Sequence, residues 1–215
     1  MANFRNHYEA AFEAFLRHHN IPCISTREDS RSASIFSGDP SLKTLDFIIS
    51  AKQNPFSLQN FPQDSEEPQN ISTQTGHFKT LEHSDITKRH LSELSWLVDI
   101  KGRRFPSGKT KKRCWVNWVT EDDLISLTRW ENIFGEKFFG LFVFAYLITE
   151  NVSPLEQSRL FSYHKNHYAF LGVPLSTYRT LCRRCSPRWK TFTLPVKTFR
   201  EQAIPLDELL TIQNL

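Results

Sequence analysis

Asp99 and Lys101 lie two residues apart in the apolar segment SWLVDIK, 95–101. On a strand, that spacing sends both side chains out of the same face. Charge placed among Trp96, Leu97, Val98 and Ile100 is costly unless it is paired or used. Asp46 repeats the pattern as the one charge in LDFII, 45–49. If the two segments are neighbouring strands, Asp46 and Asp99 converge at one level of a sheet. Clustered carboxylates repel, and a proton or a hard divalent cation relieves the repulsion. With Lys101 beside them the set suits hydrolysis of a phosphate ester. The carboxylates hold Mg2+ (or Mn2+), the metal lowers the pKa of a water, and the ammonium meets the developing charge. The competing account of the same spacing is an exposed edge-strand ion pair, worth about 0–1 kcal/mol.

The elements that must position these groups are legible in outline. Residues 4–19 form an amphipathic helix with Phe4, Tyr8, Ala11, Phe12, Phe15 and Leu16 on one face, ended by Asn20 and Pro22. Counted from Tyr8, Leu16 falls at about 80°, Glu9 at about 100° and Glu13 at about 140°. Glu9 therefore borders the buried stripe and can reach a site between helix and sheet, while Glu13 points further toward solvent. His7 lies on the far side from Glu9 and reads as a structural hydrogen-bonding group at the helix start. Short strands are expected at Cys23–Ser25 and Ser34–Phe36, and stronger ones at Thr44–Ser50 and Ser95–Lys101. Residues 51–93, polar and holding Pro55, Pro62 and Pro68, read as a flexible loop with room for a short helix near Leu81–Leu94. Thr120 with Glu121, Asp122 and Asp123 starts a second helix that stops at Gly135. A central strand over Phe138–Thr149 follows. Then come a hairpin of Arg159–His164 and His167–Val173 across Lys165-Asn166, a short helix over Ser176–Arg184, and a last strand over Trp189–Leu194. The order predicts an α/β fold, with a central mixed sheet flanked by helices.

The chain of 215 residues has a net charge of only +4, but the charge is uneven. Lys101–Arg113 holds seven basic residues and no acid, and Arg179–Lys190 holds five and no acid; the rest carries 15 basic against 23 acidic residues. Concentrating positive charge on an otherwise acidic protein presents a basic surface to a polyanion. Arg103, Arg104, Lys109, Lys111, Lys112 and Arg113 would track a phosphate backbone leaving the site, and Arg183, Arg184 and Arg188 would add phosphate contacts. Trp189 reads as a core aromatic, with base stacking as the rival. A composition of 39% hydrophobic and 23% charged residues excludes disordered, collagenous and coiled-coil chains. MANFRNHYEA has no apolar core of a secretory signal, no apolar run is long enough to span a bilayer, and four cysteines make no disulfide scaffold, so a cytoplasmic location is expected. Cys182-x-x-Cys185 is a single pair where a structural zinc site needs four ligands, and it reads as incidental.

Glu9 on a first helix, Asp46 on a second core strand and Asp99-Ile100-Lys101 on a third, followed by a helix and a strand, resemble the PD-(D/E)XK nuclease superfamily. YEAAFEAFL, LDFII and LVDIKGRR look most like its small members related to Holliday junction resolvases. His7-Tyr8-Glu9-Ala10-Ala11-Phe12-Glu13 also matches the motif of the HYExAFE family of bacterial proteins. That match extends over most of the chain, including YAFLGVPLSTYR and SPRWKTFTLP, and brings no assigned activity. The resemblance implies one nuclease-like domain over 1–215, with a long polar insertion at 51–93 between the second and third core strands and a C-terminal extension at 159–215. It implies Asp46 and Asp99 as metal ligands supplemented by the Ile100 carbonyl. Lys101 would position or activate the water, and Glu9 would support the metal directly or through water. Leu45 stands where the superfamily often has proline, and the insertion parts the two acids further than usual. The expected function is Mg2+-dependent endonucleolytic hydrolysis of DNA, possible substrates being structured or damaged DNA, with a homodimer able to cut both strands. The alternative is a nucleic-acid-binding protein on the same fold without turnover, and a third reading is a zinc- or redox-linked interaction protein.

Overall fold

The structure, a computed structural model, describes residues 6–26, 42–50, 95–107, 115–149 and 159–210. In chain order the elements are α1 (His7–His18), β1 (Cys23–Ser25), β2 (Phe47–Ser50), β3 (Ser95–Phe105), β4 (Val119–Thr120), α2 (Glu121–Phe134), β5 (Phe138–Ile148), β6 (Phe161–Tyr163), β7 (Asn166–Pro174), α3 (Leu175–Leu181), β8 (Arg183–Ser186), β9 (Thr191–Thr193), α4 (Val196–Gln202), β10 (Ile204–Pro205) and α5 (Leu206–Leu209). The expected strand at Ser34–Phe36, the insertion at 51–93 and the helix suggested near Leu81–Leu94 lie outside the described residues.

Eleven-residue β3 and β5 run parallel through the middle of a seven-stranded sheet ordered β1-β2-β3-β5-β7-β10, with β6 on β7; the other pairings are antiparallel. A parallel pair needs a crossover, and α2 supplies it. Both faces of the sheet are covered, which explains the unbroken apolar run of β5. Phe142, Phe144 and Tyr146 face one layer with Leu127, Trp130, Tyr178 and Phe199. Leu141, Val143 and Ala145 face the other, with Phe12, Phe15, Leu16 and Leu206. The central mixed sheet flanked by helices follows the sequence expectation.

The α2 start carries a complete capping box, in which the Thr120 hydroxyl accepts from the Asp123 N–H and the Asp123 carboxylate accepts from the Thr120 N–H. Other boundaries differ from expectation. The β6–β7 turn is His164-Lys165, both at positive φ (45° and 64°), one residue earlier than read; Tyr163 pairs with Asn166. The helix α3 ends at Leu181, and Arg183–Ser186 is a strand, because β8 pairs with β9 beside β4 in a second, three-stranded sheet. Trp189 is in the turn ahead of β9, not in the core: it is 68% exposed. Within the C-terminal extension, β6, β7 and β10 belong to the central sheet. Among the described residues no helix is long and apolar enough to cross a membrane.

Candidate active site

Asp46 sits at a bend just before β2 rather than within a strand from Thr44, and that placement turns its side chain onto β3. Its backbone is held on both sides: its N–H donates to the Val98 carbonyl (3.0 Å), and its carbonyl accepts from the Thr26 N–H (3.1 Å). The preceding residues are fastened to α2. The Lys43 N–H donates to Ser126 Oγ (3.1 Å), and Trp130 Nε1 donates to the Lys43 carbonyl (2.8 Å), while Leu42 and Leu45 are buried. From this anchored bend Asp46 Oδ2 accepts the Ile100 N–H at 2.6 Å, across 54 residues of sequence. The two acids therefore share one neighbourhood, as the alternation of charge in the two segments predicts.

Asp99 and Lys101 leave β3 on the same face and pair, Nζ to Oδ2 at 2.8 Å, with side chains 18% and 14% exposed. This is not the exposed edge pair of the competing account, because β3 is an interior strand between β2 and β5. Lys101 Nζ also reaches Asp123 Oδ2 at 3.1 Å, and Lys43 Nζ reaches Asp123 Oδ1 at 2.6 Å and Thr120 Oγ1 at 3.1 Å. Asp123 and Lys43 are site residues that the sequence reading did not single out. Asp123 has a usable signal: a helix that crosses over between parallel strands begins on the carboxyl side of the first strand, and Lys101 lies in the carboxyl half of β3. Lys43 has none.

The electrostatics divide the site. Burial pushes the Asp46 carboxyl up, to about 8, and the like charges of Asp99 and Glu9 add to it against the Ile100 N–H and Lys101. Burial also raises Asp99, with Lys101 pulling the other way. Asp123 is held down at about 2 despite its burial, because Lys101, Lys43 and Thr120 all favour its anion. Burial alone would lower Lys101, but Asp99 and Asp123 outweigh it and keep the ammonium charged.

The Asp46–Glu9 interaction puts the first helix at the site on the side expected from its helical angle. Glu13 instead pairs with Arg17 at 2.5 Å, and with its side chain 16% exposed it is less open to solvent than its helical angle predicts. The start of α1 can approach β3 because position 102 is glycine: a Cβ there would come within 2.3 Å of the Tyr8 ring. His7 binds the Tyr168 hydroxyl (3.0 Å), the structural role expected of it. Arg103 is engaged locally: its guanidinium donates to the carbonyls of Gly102 (2.8 Å) and Trp118 (2.6 Å) and stacks 4.2 Å from the Trp118 ring. Arg104, Arg183, Arg184 and Arg188 are exposed. Lys109, Lys111, Lys112 and Arg113 lie outside the described residues. Cys182 caps α3 and Cys185 is exposed on β8.

Comparison with protein-family models, curated proteins and solved structures returned no match. Among the described residues no three His, Cys, Asp or Glu side chains form a ready-made metal cage. The donor set nevertheless suits a hard cation. Asp46 feels the charges of both Asp99 and Glu9, with Lys101 acting the other way, and it accepts a hydrogen bond from the Ile100 N–H.

Proposed function

We propose that this protein is a divalent-metal-dependent nuclease of the PD-(D/E)XK type acting on DNA. The observation that carries the reading is the meeting of Asp46 with the Asp99-Ile100-Lys101 segment, on elements that also bring Glu9 to the same point. Asp46 and Asp99 would hold Mg2+ or Mn2+, supplemented by the Ile100 carbonyl and supported by Glu9. Such an ion, when bound, supplies Lewis acidity toward a water and a phosphoryl oxygen. Lys101 is positioned by Asp99 and Asp123, which keep it protonated. An ammonium so held cannot accept a proton from water; it orients oxygen atoms and meets the negative charge that develops on the phosphate. Two of its three N–H bonds face carboxylates, leaving one for the substrate. Asp123 and Lys43 act through Lys101 and touch nothing that reacts.

The same pairing supports a second reading, a nucleic-acid-binding protein without turnover, in which Lys101 serves only to neutralise its two aspartates. The test is cleavage of plasmid, single-stranded and branched DNA with Mg2+ or Mn2+, against an EDTA control. Wild type is expected to cut at least one substrate, and Asp99→Ala and Lys101→Ala to lose about 100-fold or more, the scale of removing one electrostatic stabiliser. Absence of cleavage on every substrate, or variants that cut like wild type, overturns the nuclease reading.

A further inference from the structure

We infer that the tip of the β8–β9 hairpin is a base-stacking platform that directs the site to DNA with unpaired bases, a strand or fork rather than blunt duplex. The inference names the substrate class of the proposed nuclease and rests on that reading for its link to cleavage. Trp189, at 68% exposure, is the most exposed large apolar side chain among the described residues. The Arg188 guanidinium lies 5.1 Å from its ring centroid. The hairpin, 183–193, carries Arg183, Arg184, Arg188 and Lys190 and no acid. An indole flanked by cations fits a chain that offers phosphates and bare π-faces together, and single-stranded nucleic acid does so. A blunt duplex shows its base faces only at its ends.

The platform is anchored rather than loose. Phe192 and Thr191 pair with Val119 and Thr120 of β4. Buried Asn117 accepts at Oδ1 from the Leu194 N–H (2.8 Å) and the Thr193 hydroxyl (2.7 Å), and the Tyr178 hydroxyl sits 2.6 Å from the Asn117 carbonyl. The tip is also tied to the site. The Glu121 N–H donates to the Lys190 carbonyl at 2.8 Å, and its carboxylate pairs with Arg184 (3.6 Å) and Lys190 (3.5 Å). Glu121 opens the helix turn whose Asp123 holds Lys101. The hairpin tip and the Lys101 ammonium are therefore both tied to the first turn of α2.

The test is fluorescence anisotropy in EDTA with a labelled single strand, a fork with one single-stranded arm, and a blunt duplex. Wild type should bind the strand and the fork more tightly than the duplex. Trp189→Ala should weaken strand and fork about tenfold, within the range for one stacked base, and leave the duplex within about twofold. Trp189→Phe should restore most of the loss. Equal affinity for all three DNAs, no binding to any, or a Trp189→Ala variant that binds all three like wild type overturns the inference. Because binding is read without metal, strand and fork discrimination that persists when no substrate is cut removes the nuclease reading and keeps the platform. Metal-dependent cutting with an unchanged Trp189→Ala variant does the reverse.

Discussion

Asp123, on the α2 side of the site, and Asp46, on the β2 side, are both aspartates drawn out of water and both feel the charge of Lys101, yet they are driven in opposite directions. Asp123 meets two ammonium groups and the start of a helix, and its anion is favoured down to about 2. Asp46 meets one backbone N–H and two other acids, and its proton is favoured up to about 8. Burial opposes the charge in both cases; the partners decide the outcome. One side of the site is electrostatically complete and holds Lys101 in place. The other is short of positive charge, and a divalent cation would supply it.

The comparison is broken most severely at its complete side. Asp123→Asn removes the anion shared by Lys43 and Lys101, leaving buried positive charge with less compensation. Lys101 keeps Asp99 and Lys43 is 47% exposed, so the expected loss is about 2–3 kcal/mol, read as a lower urea midpoint. An unchanged midpoint would mean that Asp123 does not hold Lys101.

The opposite substitution should have the opposite sign. Asp46→Asn removes like-charge repulsion while the amide oxygen can still accept from Ile100. Without divalent ions the variant is expected to gain about 1–2 kcal/mol, at roughly 2–4 °C of Tm per kcal/mol for a chain of this size. It should also lose any Tm rise that Mg2+ or Mn2+ gives wild type. The pH dependence sharpens the contrast. The raised Asp46 favours the folded state below its ordinary value of 3.8, and that contribution is lost as pH climbs toward about 8. Asp123, depressed, contributes above the same ordinary value and loses its contribution as pH falls toward about 2. In EDTA, Asp46→Asn should therefore flatten the fall in Tm between pH 4 and 8, and leave the acid limb to Asp123. A variant that keeps the wild-type slope from pH 4 to 8 contradicts this division.

The smallest effect belongs outside both halves. Glu13→Gln on α1 removes the charge of the i,i+4 pair with Arg17, whose side chain is 75% exposed, while the amide keeps an oxygen in the 16%-exposed position of Glu13. It should change stability by about 0.3–0.5 kcal/mol and leave DNA cleavage untouched, in contrast to Glu9→Gln beside Asp46. A large loss of activity in Glu13→Gln would show that the helical angle chose the wrong acid.

Alternation of charge with apolar residues made Asp46, Asp99 and Lys101 readable, because period-two patterning states which side chains share a face of a strand. The angle around α1 separated Glu9 from Glu13 for the same kind of reason. The bend at Asp46 was not readable: Thr44–Ser50 has strand composition throughout, and the early end of β2 follows from hydrogen bonds between Lys43 and α2. The helix-like reading of Arg183 and Arg184 failed similarly, since their strand exists through pairing with β9. Trp189 shows the same limit. An indole is apolar wherever it lies, and only the position of a turn exposes it.

By itself the sequence determined the main helices and strands from α1 to β7, the sites where charge enters apolar segments, and the two stretches where basic residues gather. Local periodicity and composition record these, since they depend on neighbours a few residues away. Only the tertiary structure decided that Lys101 serves two aspartates, that Lys43 closes the α2 side, and that the second basic stretch forms a hairpin fixed to the turn holding Asp123. Apart from Asp99, two positions from Lys101, those relations join residues about 20 to 80 positions apart. Charge interaction depends on distance and burial, and neither is set until the sheet and its crossover helix have assembled.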